Sequence, residues 1–208
     1  MKNVAMDSKY LEYRKQVLLS LQNKSKSDRV DTHYSPNMKY KLTIEYFVAQ
    51  DHQGWDYTRG IVTESSTGKE LELIRNIGTF PFHWIVKGKR TFLLCGQDYQ
   101  GYTVVDLNDM KAIDFVPEEF YEGTGFCWAE IKYLDDMDIL VVGGCYWADD
   151  YEIVFYEFTN PLKLPYNELK RIKPYEKMIG WKDQNHFIYE DEEGNIQTVT
   201  IAHRASDV

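Results

Sequence analysis

Near the start of the chain, apolar residues fall at helical spacing. Tyr10, Leu11, Tyr13, Val17, Leu18 and Leu21 recur every three or four positions and predict one helix over residues 7–23. Asp7 or Ser8 can cap it, because their side-chain oxygens accept from the first free N–H groups. Residues 23–31 show no periodicity and read as a linker, and Ser35-Pro36-Asn37 reads as a turn. From Tyr40 the period shortens. Residues 41–49, 90–95, 138–142 and 152–158 are β-branched and aromatic runs, parted by turns at 66–68, 87–88, 107–109, 134–136 and 193–195. Several runs are apolar on both faces, which places them centrally in sheets covered on each side. No strand–helix–strand alternation follows residue 40, so the strands are expected to be mostly antiparallel.

The strands also recur in groups. Gln50-Asp51-His52-Gln53-Gly54-Trp55 returns 47 residues on as Gln97-Asp98-Tyr99-Gln100-Gly101-Tyr102, each copy lying between two apolar strands. A third, diverged copy runs from Leu140 through Asp150 to residues 152–158 and then 161–165. A partial fourth covers residues 178–181, 186–189 and 196–201. Periods of about 40–50 residues with four short strands each are how propeller blades read. Residues 40–202 resemble WD40-type and related β-propeller blades in this strand order, although the family's Trp-Asp dipeptide and Gly-His pair are missing. Gly125-Phe126-Cys127-Trp128-Ala129 and Gly144-Cys145-Tyr146-Trp147-Ala148 make residues 90–165 similar to an uncharacterised bacterial protein family, a resemblance that brings no activity with it.

The expected fold is therefore all-β and mostly antiparallel: a small or partial β-propeller of about four blades with an N-terminal helix. The alternative is a twisted antiparallel sheet or β-sandwich with one helix. Residues 1–37 form the helix and linker arm, and residues 38–208 the β-repeat domain. Four blades are few for closure, so the helix or a second copy of the chain is expected to cover an open edge.

Composition narrows the function. Of 208 residues 15% are aromatic, which excludes wholesale disorder, and the net charge is −9. The charge is uneven, with 8 Lys and Arg against 4 Asp and Glu in residues 1–39. The remainder is strongly acidic, which argues against nucleic acid and against an anionic membrane as partners. No apolar run has the length of a membrane span, and no apolar leader is visible at the N-terminus. With three cysteines, an odd number, the reading is a cytoplasmic protein with reduced thiols.

Candidate chemistry follows from the blade topology. Loops joining the second and third strands of a blade emerge on the same face as loops joining successive blades. Residues 50–57, 97–102 and 145–151 are of the first kind; residues 78–84 and 118–128 are of the second. That face gathers aromatic and acidic side chains, and its candidate binding residues are Asp51, His52, Trp55, Asp98, Tyr99, Tyr102, Trp128, Tyr146, Trp147 and Asp149. Trp84, Trp128 and Trp147 could instead plug inter-blade cores, and Asp51 and Asp98 could bond within their own turns. Glu118 and Glu119, followed by Phe120 and Tyr121, could accept a cation.

No phosphate-binding loop, nucleophile elbow, zinc-protease helix or dinucleotide fingerprint is present. Cys95, Cys127 and Cys145 lack the spacing of a zinc site, and no cofactor is expected. A metal set of Asp51, His52, Asp149 and Asp150, or a thiol–imidazole pair between Cys127 or Cys145 and His52 or His83, is the chemical alternative. The expectation is a binding module for a protein partner or small molecule, best matched by a cationic one. Its rivals are a hydrolase using His52 with Asp51 or Cys145, and an acidic inhibitor or immunity-type protein.

Overall fold

A computed structural model describes residues 2–49, 55–147 and 149–201. These residues form one α-helix, α1 (Ser8–Leu21), and four antiparallel sheets in chain order. The first sheet is β1 (Ser25–Tyr34), β2 (Tyr40–Val48), β3 (Tyr57–Glu64) and β4 (Glu70–Arg75). The second is β5 (Phe82–Lys87), β6 (Arg90–Gly96), β7 (Tyr102–Asp106) and β8 (Lys111–Phe115). The third is β9 (Phe126–Leu134), β10 (Ile139–Tyr146), β11 (Tyr151–Glu157) and β12 (Glu168–Ile172). The fourth is β13 (Lys177–Trp181), β14 (His186–Glu190) and β15 (Ile196–Thr200). Each strand pairs with its sequence neighbour, as in a blade.

Side chains alternate across a strand, so a two-sided strand can feed two cores. That is how the sheets are held together. Leu93 of β6 and Val105 of β7 face the first sheet, where they pack with Leu42, Ile44 and Val62. Phe92, Leu94 and Val104 face the third sheet and meet Leu140, Val142 and Val154. Ile139, Val141, Ile153 and Phe155 face the other way, towards Met178 and Phe187 of the fourth sheet. Among the described residues no buried apolar cluster joins the first sheet to the fourth. The architecture fits a partial, propeller-like array of four sheets, all-β apart from α1.

Three local expectations need correction. Residues 23–31 are not a linker, because most of them enter β1, which pairs with β2 from Ser25↔Val48 to Tyr34↔Lys41. This edge strand is largely exposed and polar, so it carries no hydrophobic period to read, and its charges suit an unpaired edge. Asp7 sits at the N-cap of α1 without a side-chain capping bond; its carboxylate pairs with Lys2 instead. Residues 161–165 form turns rather than a short strand, since Pro161 and Pro165 have no N–H to give a ladder, and the strand falls later, at β12.

The helix packs on residues of the first two sheets and their connections. Tyr10 packs with Val4, Ala5 and Val116, while Val17 packs with Phe47 and Tyr57. The apolar residues of α1 split between two sides, with Leu11 and Leu18 left exposed. No helix among the described residues is long and apolar enough to cross a membrane.

Candidate functional site

The turn between β6 and β7 shows how one sequence both anchors and presents. In Gln97-Asp98-Tyr99-Gln100-Gly101, three polar residues are buried and point into the fold. Gln97 donates through Nε2 to the Tyr10 hydroxyl at 2.7 Å, and Gln100 accepts through Oε1 from the Gly125 N–H at 2.6 Å. Asp98 Oδ1 accepts from the Asn76 N–H at 2.6 Å, and its Oδ2 accepts from Arg14 at 2.7 Å and the Tyr13 hydroxyl at 3.3 Å. Gly101 has φ +92°, and a Cβ there would meet the Phe115 carbonyl oxygen at 2.2 Å, so the last position accepts only glycine. Tyr99 alone is left on the outer side, only partly buried.

Tyr99 does not stand alone. Its ring centroid is 5.2 Å from Trp55, at the end of the β2–β3 connection, and 5.6 Å from Trp147, in the β10–β11 connection. Trp55 and Trp147 are 6.1 Å apart. All three pairs are edge-to-face, and each ring comes from the equivalent connection of a different sheet. The two indoles are nonetheless 53% and 59% exposed. Exposed tryptophans that touch each other, rather than lying singly, form a patch of the kind that recognises partners. Asp56, next to Trp55 in the chain, is exposed, and burial followed by Asp98, Cys127 and Asp56 pushes the Tyr99 hydroxyl up to about 12. Tyr99 therefore keeps its proton at neutral pH.

The remaining candidates go elsewhere. Asp98 lies 1% exposed in its ion pair with Arg14 and serves as the anchor of α1. Burial opposes the Arg14 charge, but Asp98 outweighs it and raises the guanidinium. Asp149 pairs with Lys173 at 2.5 Å, which lowers its carboxyl. Asp51 and His52 lie outside the described residues. Among the described residues no group of three potential metal ligands occurs.

Tyr102, Trp128 and Tyr146 belong to a second place, a cleft of about 330 Å³ between the second and third sheets. Tyr102 is stacked between Trp128 at 4.3 Å and Tyr166 at 4.9 Å, and Tyr156 continues the stack from Trp128 at 6.0 Å. Burial holds the Tyr102 and Tyr166 hydroxyls well above the usual tyrosine range. Arg171 lies over the rings of Phe126 and Tyr146 and is bound by Glu152 and Glu168. Sequence reasoning missed Arg171, Glu168, Tyr156 and Tyr166, which come from β11, β12 and the loop between them, on no predicted functional loop. Their one trace was the general surplus of tyrosine.

The thiols have no activated character. Cys145 is opposite Cys127 in the β9–β10 register, and burial raises both, Cys127 to about 11 with the help of Cys145. Cys95 is fully buried and its thiol is raised as well. His83 is lowered by burial and by Lys132.

No family model matches the chain, so the WD40-type resemblance rests on strand order alone. The chain is similar to "Uncharacterized protein R762" of Acanthamoeba polyphaga mimivirus, 28% identical over 169 residues, 76% of this chain and 65% of that one. It thus spans just under two thirds of that relative's length. Among solved structures, "Oligogalacturonate lyase in complex with manganese" matches with a TM-score of 0.48 and 10% identity, over 89% of this chain and 56% of that chain. A likeness at that level assigns neither a fold family nor an activity here.

Proposed function

We propose that this protein is a binding module whose contact point is the ring trio Trp55, Tyr99 and Trp147, and that it takes a cationic segment of a protein partner. The observation that supports this most is the trio itself: three loops from three sheets place their aromatic rings within 6.1 Å of one another, two of them more than half exposed. A structural role would bury those indoles, as it does Trp128. The faces of Trp and Tyr rings attract cations, by about 0.5–2 kcal/mol per contact depending on desolvation. Asp56 reinforces that preference, as does the net charge of −9. Side chains of the turn at 97–101 bond to Tyr10, Gly125 and Asn76, so Tyr99 is presented from an anchored turn and loses less entropy on binding.

The test is calorimetry with a short peptide carrying trimethyllysine, against the same peptide carrying the uncharged tert-butyl isostere. Preference for the cation, and loss of about tenfold or more in Trp55→Ala and Trp147→Ala with folding intact, supports the reading. Equal binding of both peptides, or of wild type and both variants, refutes it. The hydrolase alternative gains nothing from the described residues, because both candidate thiols are raised rather than lowered, the opposite of an activated nucleophile.

A further inference from the structure

We infer that the cleft between the second and third sheets is a separate binding site for a small organic amine, held by Glu119. The cleft measures about 330 Å³, within the range of small-molecule pockets, and is lined mainly by Tyr102, Phe115, Phe126, Trp128, Tyr156 and Tyr166. A mostly aromatic wall recognises an apolar body, so specificity rests with the polar groups along it. Most of these already have partners. The Tyr166 hydroxyl donates to the Pro161 carbonyl at 2.8 Å, and the Tyr102 hydroxyl accepts from the Tyr166 N–H at 3.1 Å. Asn167 donates to Glu157 at 3.1 Å. Glu168 is held by Arg171 through both oxygens, at 2.6 and 3.1 Å, and Arg171 also binds Glu152.

Glu119 is different. It lines the same cleft, its Oε2 is shut off from solvent in the unliganded protein, and among the described residues that oxygen has no hydrogen-bond partner. Among the described residues it makes no ion pair. A shielded carboxylate oxygen without a donor is costly, and an ammonium N–H is the group that relieves it. The backbone holds Glu119 in place: it sits in a short 3-10 helix, residues 118–122, closed by Gly123 at φ +72°, and its carbonyl accepts from Thr124 N–H at 3.2 Å. The lining therefore carries one balanced ion pair, Glu168 with Arg171, and one carboxylate in excess. Charge and shape both select an amine of about the size of an arylalkylammonium, its charged end at Glu119 and its apolar body along the ring wall.

The probe is phenethylammonium chloride, followed by ligand-observed NMR and calorimetry, with neutral 2-phenylethanol and anionic 3-phenylpropanoate as comparators. The expected result is saturable binding of the ammonium at millimolar or tighter affinity and no saturable binding of the anion. Glu119→Gln should weaken the ammonium at least tenfold, whereas Trp147→Ala, on the ring trio, should change it less than twofold. Failure here and failure of the trio's peptide binding are thus read separately. Glu119→Gln should also raise the melting temperature of the unliganded protein, because it removes the unpaired carboxylate. Three results overturn the inference: no saturable ammonium binding, alcohol binding as tight as ammonium binding, or Glu119→Gln binding unchanged. A lower melting temperature for Glu119→Gln does so too, since it assigns Glu119 to holding the fold.

Discussion

Two groups of aromatic rings behave in opposite ways. Trp55, Tyr99 and Trp147 meet edge to face and leave both indoles more than half exposed. Tyr102, Trp128 and Tyr166 meet face to face and are at most 7% exposed. Tyr99 and Tyr102 are only three residues apart, and Tyr146 and Trp147 are adjacent. What separates them is strand position. Tyr102 and Trp128 lie within β7 and β9 and are committed to the face that alternation dictates, and Tyr166, in the β11–β12 loop, is drawn in by its stack on Tyr102, whereas Trp55, Tyr99 and Trp147 lie in connections and meet no such stack. The difference teaches that aromatic content in a loop-rich β protein is not one signal: strand position and the rings available to stack on together sort it into core and contact.

The comparison breaks if the two groups respond alike to truncation. The largest expected effect is at Trp128, where alanine removes a buried indole from a stack of four rings. We expect a loss of about 3–5 kcal/mol in denaturant unfolding. Next is Arg14→Ala. It leaves Asp98, 1% exposed, without its cation, and should cost about 2–4 kcal/mol and speed amide exchange in residues 8–21 more than elsewhere. Trp147→Ala should cost no more than about 1 kcal/mol, the worth of its edge-to-face contacts. If Trp147→Ala instead destabilises as much as Trp128→Ala, the trio is a core and not a contact.

A smaller effect sharpens the boundary between the groups. Cys127 lies in β9 between Phe126 and Trp128, and burial, with Cys145, holds its thiol up from 9.0 to about 11. The folded value exceeds the unfolded one, so the folded state favours the protonated thiol. That contribution is fully present below pH 9 and is lost as pH rises through about 11. Alkylation of Cys127 should accordingly be slow at pH 8 and accelerate towards pH 11, with unfolding stability declining over the same interval. Iodoacetamide labelling followed by peptide mass spectrometry measures the first, and denaturant midpoints at several pH values measure the second.

Much of the sheet framework was legible in the sequence. Strands such as β2, β6 and β14 are dense in β-branched and aromatic residues, and Gly88, Gly68 and Gly194 mark turns with positive φ that need glycine. The edge strand β1 was not legible, because it is held by backbone pairing and exposes polar side chains, leaving no pattern. The convergence of Trp55, Tyr99 and Trp147 followed from reading their loops as equivalent. The fate of Asp98 did not, because its partner Arg14 lies 84 residues away on a helix whose docking position no local signal fixes. Glu119 and Arg171 were hidden for the same reason: a cleft between sheets is a product of packing, and its polar residues look like ordinary surface charge in the chain.

The most direct test of the central claim, that the exposed trio is the contact point, is the affinity of the trimethyllysine peptide for wild type and for Trp55→Ala/Trp147→Ala. The double variant is expected to keep its melting temperature within a few degrees and to lose the peptide by at least the tenfold of either single variant, though not by their product, because the two rings touch each other. A double variant that stays folded and binds the peptide as wild type does would contradict the claim.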